Sequence, residues 1–387
     1  MTRTLRFRLH APFPQSVTFV ELFFDLVFVF AVTQLTELTA GDLTAAGVAR
    51  ALVVFWLIWW AWTQFTWTLN PADTTHSLVR VITLAATAAA FVMAASVPRA
   101  VGEDPLWFVF PYLVVRILGL GLQVRVDLER AHGEGGSIVS WVVVSALGLA
   151  IVLAGAVVDP SVRPFVWMAA ILVDLFATQA AGRRTWDIHA AHLAERHGLF
   201  VIIALGESLI LIGTSVAADV RTPTLATVGV LTLVVACLLW WTYFGWLKEA
   251  MEERLAAAAP SDVGRLARDA YSLGHFPMVF GIVAFAVAIE EIVAHPDEPL
   301  GAAVTAALGA GIGLFIGFSV VAYWLSSRRI LVRRLVILPV MAGVLLLVVD
   351  MSPVWALFVV AAALLVVVLV EALLPEAETS AVETPAA

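Results

Sequence analysis

The chain has 387 residues, of which 61% are hydrophobic and only 13% charged, with a formal net charge of −8 at pH 7. Soluble domains carry about 25% charged residues, so this composition cannot cover the polar faces of a soluble protein of this length. The acidic balance excludes a basic nucleic-acid-binding surface, and a single cysteine, Cys237, excludes a disulfide scaffold, a CxxC redox site or a multi-cysteine metal site. A polytopic, all-α membrane protein remains.

A helix needs roughly 20 mainly apolar residues to cross a bilayer, because its backbone amides must be satisfied within the segment. Twelve such runs follow in chain order: 16–38, 46–69, 76–97, 105–126, 138–158, 163–181, 197–217, 223–247, 271–294, 300–325, 331–349 and 352–373. Pro105, Pro164 and Pro223 stand at or near helix starts, where proline is tolerated. The first run is too long for a signal-peptide core and carries Glu21 and Asp25, so it reads as a span rather than a cleaved leader. Residues 1–15 form a basic N-terminal segment, 182–196 a linker between the sixth and seventh runs, and 374–387 a polar acidic tail that needs no fold. With the N-terminus in the cytoplasm, 17 of the 22 basic residues fall on that side and 4 on the other, with Arg116 inside a span. The positive-inside rule therefore predicts a bacterial cytoplasmic-membrane protein with both termini and the 182–196 linker in the cytoplasm.

The two halves read as copies. Leu57–Trp60 (LIWW) matches Leu238–Trp241 (LLWW) at an offset of 181, and Asp25 then falls near Glu207 at 182. Ser77-Leu78 matches Ser272-Leu273 at 195, and Glu103–Leu106 matches Asp297–Leu300 at 194. Six spans per copy is even, so the expected architecture is a parallel 6+6 repeat, 16–181 and 197–373, a known transporter plan.

A charged side chain at the bilayer centre costs roughly 2.5–3.5 kcal/mol on insertion scales, so each one needs a partner or a wet cavity. Asp25 lies about 13 Å along its helix, and Arg116, Asp174 and Glu207 reach similar depth. Glu21 stands four residues before Asp25, on the same helix face. Two readings stay open: the set ties helices together, with Arg116 neutralising an acid, or Asp25, Asp174 and Glu207 line a proton or cation path. His275, just inside the ninth run, is a proton relay or a hydrogen-bonded core residue. His189 to His197 (HAAHLAERH) superficially suggests a metal site, but its spacing fits no fixed motif, and it reads as a cytoplasmic linker with solvated histidines. The tryptophans of the second and eighth runs read as an interfacial belt, and Cys237 as an inert buried thiol. Phosphate-loop, dinucleotide and GxSxG signatures are absent, and no catalytic residue, metal site or cofactor emerges.

Three strings are more specific. Val17 to Leu35 (VTFVELFFDLVFVFAVTQL), His192 to Gly213 (HLAERHGLFVIIALGESLILIG) and Leu273 to Val283 (LGHFPMVFGIV) closely resemble the bacterial low temperature requirement A (LtrA) family. The resemblance runs from about residue 14 to 370. It implies a multi-pass bacterial membrane protein and places emphasis on Glu21, Phe24 and Asp25 in the first motif. In the second it falls on His192, Glu195, Arg196, His197, Gly206 and Glu207, and in the third on His275 and Pro277. The family pattern often continues the first motif with Ser-His, where this chain has Thr36-Glu37. No substrate or catalytic residue transfers with the resemblance. The expectation is a secondary transporter or ion-conducting protein using buried carboxylates to move a small ion or molecule. An intramembrane enzyme or cofactor protein, and a non-catalytic membrane protein of cold adaptation, are the alternatives.

Overall fold

The computed structural model describes residues 9–11, 16–130, 135–181, 187–218, 223–347 and 352–373. In chain order the helices are α1 (Phe19–Ala40), α2 (Ala45–Leu69), α3 (Ser77–Ala95), the short α4 (Val97–Ala100), α5 (Leu106–Arg130), α6 (Gly135–Gly155) and α7 (Arg163–Ala181). Then come α8 (Ala190–Ala218), α9 (Pro223–Phe244), α10 (Leu247–Ala256) and the short α11 (Val263–Leu266). A π-helical turn, Ala267–Leu273, leads into α12 (His275–Ala294), and α13 (Gly301–Ser327), α14 (Val332–Leu347) and α15 (Pro353–Leu373) complete the order. Each predicted run coincides with one long helix. Among the described residues, nine helices are long and apolar enough to cross a membrane, which makes this an all-helical membrane protein; α6, α7 and α14 fall outside those nine.

Local chemistry sets the helix starts. Thr18 caps α1, its backbone amide and hydroxyl both bonded to Glu21 Oε2 at 2.9 and 2.8 Å. The Thr44 hydroxyl accepts from the Gly47 amide at the start of α2. Helix α1 is amphipathic in the inverted sense: Phe19, Leu22, Phe23 and Leu26 are exposed to the lipid side, while Glu21, Phe24, Asp25 and Phe28 face the interior. That pattern is expected where the surrounding solvent is hydrocarbon and the polar groups must find each other.

At the centre α1, α8 and α12 pack against one another, with α2 on their flank. Phe24 meets Phe65 with ring centroids 4.7 Å apart, Trp62 meets Phe200 at 4.6 Å, and Phe55 stacks on Phe276 at 4.8 Å. Trp56, Trp59, Trp60 and Trp62 are therefore buried, which corrects the belt reading for α2; Trp240 and Trp241 of α9 are exposed, as a belt requires. Cys237 is exposed rather than buried, because it sits on the outer face of α9. Helices α12 and α13 touch through glycine: a β-carbon on Gly281 would meet the Gly311 carbonyl oxygen at 2.6 Å. Small residues at such a seam let the backbones approach closely.

The π-helical turn has a positional consequence. Its wider winding breaks the usual pairing of carbonyls with amides four residues on. Ser272 O accepts from Trp59 Nε1 at 2.8 Å, Ser272 Oγ accepts from Trp67 Nε1 at 2.8 Å, and Ala270 O pairs with His275 Nδ1 at 3.0 Å. This turn thus fastens α12 to α2 and fixes His275. Near the other end of the sequence, Leu9–Ala11 form a strap. Leu9 N donates to Glu129, Ala11 N to Pro71 O, and His10 pairs with Asp187 at 3.2 Å.

Candidate functional site

The sequence candidates fall into four groups rather than one. The largest joins α1 to α8. Arg196, fully buried, donates from Nη1 to Glu21 Oε1 at 3.0 Å and from Nη2 to Asp25 Oδ1 at 2.5 Å. Trp62 Nε1 donates to the same Asp25 oxygen at 2.7 Å, and the Arg196 guanidinium lies 5.8 Å from the Trp62 ring centroid. His192 Nε2 stands 2.9 Å from Glu21 Oε1. Asn70 Nδ2 lies 3.2 Å from His192 Nδ1 and donates to it, which leaves the ring proton on Nε2, facing the carboxylate. Asn70 also bonds both polar backbone groups of His189, so it pins the start of α8. Glu195 Oε2 accepts the Val17 amide at 3.3 Å.

This group corrects the linker reading. Helix α8 begins at Ala190, seven residues before the apolar run, and carries His192 and Arg196 inward beside His197. Hydropathy placed them outside because charge was scored without its partner. The spacing held the signal: Glu21 and Asp25 are four apart on one helix, and His192 and Arg196 four apart on another, so two complementary pairs of side chains share facing stripes.

The second group is aromatic and polar. His197 Nδ1 bonds Leu193 O at 2.9 Å, and the Tyr243 hydroxyl donates to His275 Nε2 at 2.7 Å. The two histidine rings lie 5.1 Å apart, with Tyr271 stacked on His275 at 5.4 Å. His197 Nε2 and the Tyr271 hydroxyl have no hydrogen-bond partner among the described residues.

Glu207 forms the third group, eleven residues beyond Arg196 on α8 and hence about 16 Å along the helix. It is 1% exposed, accepts from Thr33 Oγ1 at 2.5 Å, and its other oxygen has no partner. Its charged neighbours are acidic: Glu37 of α1, which accepts from Gln34 at 2.9 Å, and Glu290 of α12. Among the described residues no basic side chain pairs with Glu207.

The fourth is Arg116 with Asp174, at 3.3 and 3.4 Å, supported by a 2.8 Å bond from Arg116 Nη1 to the Tyr112 hydroxyl. The pair lines a cavity of about 80 Å³ with Gln64, Gln123, Trp60 and Trp141. Arg116 Nε and Gln64 Oε1 are without hydrogen-bond partners there. A polar space of this size holds a few waters. Asp25, Glu207 and Arg116 therefore do not converge on one cavity.

A fifth set escaped the sequence. Arg334, fully buried, donates to both oxygens of Glu371 at 2.6 and 2.9 Å, to Ser319 Oγ at 2.8 Å and to Thr242 O at 2.6 Å. It ties α9, α13, α14 and α15 together from a position that hydropathy assigns to a loop. Among the described residues no three His, Cys, Asp or Glu side chains stand where they would hold a metal ion.

The sequence profile described as bacterial low temperature requirement A protein (LtrA) matches residues 16–370. The chain belongs to the LtrA family. An uncharacterised protein of Rhizobium meliloti (strain 1021) is 30% identical over 298 residues, 73% of this chain and 71% of that protein. No solved structure matches. The LtrA match spans all four groups of candidate residues as well as Arg334, and stops one residue short of Glu371.

Proposed function

We propose that this LtrA-family protein is a secondary transporter or ion-conducting protein that binds a proton or a small cation at Glu207. One observation carries the reading: a carboxylate buried at the α1–α8–α12 seam has a hydroxyl donor and acidic neighbours but no basic partner among the described residues. Left ionised in hydrocarbon, such a group costs roughly 2.5–3.5 kcal/mol on insertion scales, and a bound proton or cation offsets that cost. Glu37, exposed near the end of α1, and Glu290 form an acidic approach to it. The other ionisable groups have fixed mates, so in this reading Glu21, Asp25, His192 and Arg196 hold α1 against α8, and Arg116 with Asp174 lines a hydrated pocket.

The packing supports the repeat on which the reading rests. Helix α1 meets α2 and α3 as α8 meets α9 and α12, α3 meets α5 as α12 meets α13, and α2 meets α7 as α9 meets α15. A 6+6 parallel architecture of twelve spans has this order, with Asp25 and Glu207 on corresponding helices. The basic-residue distribution places both termini in the cytoplasm of a bacterial cell, so the Glu37–Glu290 approach opens outward.

The test is flux into liposomes under imposed pH and cation gradients, with folding checked by size exclusion. Wild type moves protons or a cation, and Glu207→Gln, which keeps shape and the Thr33 contact, does not. Equal flux in wild type and folded Glu207→Gln, or no flux in folded wild type under any gradient, overturns the proposal. The second reading, a membrane protein whose buried charges only fasten helices, is favoured by the sealed Glu21–Asp25–Arg196 cluster and gains from the latter result.

A further inference from the structure

Helices α9, α13, α14 and α15 end together around a cavity of about 520 Å³. Aromatic rings of Trp241, Trp246 and Tyr323 form much of its wall, and its polar lining is Arg329, Arg333 and Glu371. Glu371 offers no free charge, because Arg334 donates to both its oxygens and Trp246 Nε1 adds a third bond at 2.8 Å. The charge presented to the cavity is therefore that of two guanidiniums. Arg333 reaches Val370 O at 3.5 Å, and the Arg329 side chain has no hydrogen bond or ion pair among the described residues.

Location narrows the ligand. The cavity lies where apolar helices stop, at Phe244, Ser327, Val332 and Leu373. Trp241 and Trp324 beside it are 55% and 40% exposed, and Arg328 stacks over Trp324 at 5.2 Å. Exposed tryptophan with arginine at helix ends marks headgroup depth in a bilayer. A guanidinium meets a phosphate through paired hydrogen bonds, and a desolvated pair of them discriminates by charge. With Glu371 already engaged, nothing in the lining neutralises the amine of a zwitterionic headgroup.

We propose that this cavity binds the headgroup of an anionic phospholipid, with its phosphate held by Arg329 and Arg333. Basic pockets between membrane helices are a known form of lipid recognition, at about 1 kcal/mol, or fivefold, per arginine near the surface. The site is separate from Glu207 and stands whether or not the protein transports.

The test is rebinding of lipid to delipidated, detergent-purified full-length protein, read by native mass spectrometry. The probes are phosphatidylglycerol, phosphatidylcholine with the same acyl chains, and inorganic phosphate. Wild type prefers phosphatidylglycerol, Arg329→Gln lowers that preference about fivefold, and the Arg329→Gln/Arg333→Gln pair abolishes it. Because Arg329 has no partner among the described residues, its single variant stays folded and keeps the test sharp if the double variant does not. Equal binding of the two lipids by wild type, or an unchanged preference in Arg329→Gln, overturns the proposal. Complete displacement of phosphatidylglycerol by inorganic phosphate makes a free anion the ligand instead. Binding that appears only after deletion of residues 374–387, which carry Glu376, Glu378 and Glu383, makes that tail the occupant.

Discussion

Replacing Arg196 with methionine removes the one cation shared by Glu21 and Asp25 while keeping most of the side-chain volume. Each carboxylate loses one charge-assisted hydrogen bond, at 3.0 and 2.5 Å, and a bond to a charged group is worth about 1.5–3 kcal/mol. Two such losses sum to about 3–6 kcal/mol, in line with the roughly 3–5 kcal/mol measured when one partner of a buried ion pair is deleted. Glu21 retains Thr18 and His192, and Asp25 retains Trp62, so neither is stripped completely. Chemical unfolding in a fixed detergent, followed by circular dichroism, measures the loss. The triple variant Glu21→Gln/Asp25→Asn/Arg196→Met removes all three charges and recovers most of the stability, because the penalty lies in the unpaired carboxylates rather than in a missing contact. An Arg196→Met protein within 1 kcal/mol of wild type refutes the reasoning, and so does a triple variant as unstable as the single one.

Trp62→Phe keeps the ring against Phe200 but deletes the donor to Asp25, costing about 1.5–3 kcal/mol in the same unfolding assay. Gly281→Ala drives a methyl group into the Gly311 carbonyl and the Phe315 amide, so α12 and α13 separate at a cost of about 1–3 kcal/mol. Gly313→Ala on the same helix pair meets nothing within 4 Å, and should leave stability unchanged or raise it by up to about 1 kcal/mol. In the loop between α1 and α2, hydrogen bonds from the Thr44 hydroxyl and amide, with Arg50 beside them, hold the Asp42 carboxyl below its ordinary 3.8. A depressed carboxylate contributes its stability above the unfolded value and loses it as pH falls through the folded one. Melting curves of wild type and Asp42→Asn should therefore differ by a constant amount from pH 5 to 7 and converge only below about pH 4.

Residue order foretold the helices well, since hydrocarbon imposes one requirement on every span: an apolar run long enough to close its own backbone bonds. The partners of the charges were harder to read. Arg196 and Arg334 both looked like loop arginines because hydropathy scores a residue alone, and each is neutralised by a residue 175 or fewer positions away, Glu21 and Asp25 for one and Glu371 for the other. Trp59 and Trp62 looked interfacial for a related reason, as their indole nitrogens are satisfied by Ser272 O and Asp25 inside the bundle. Glu207 was identified correctly as a deep acid, while its lack of a basic mate needed coordinates.

The strap at Leu9–Ala11 and the Glu21–Asp25–Arg196 cluster share a temporal consequence. Arg196 leaves the ribosome 171 residues after Asp25, an interval of about 9–34 s at bacterial elongation rates. His10 waits 177 residues for Asp187. The first helix is thus delivered to the membrane with two carboxylates unmated, and it gains its final seat only when the eighth arrives. Biogenesis of this bundle closes from both ends of its chain order at once, and a nascent chain arrested before α8 holds its first span loosely.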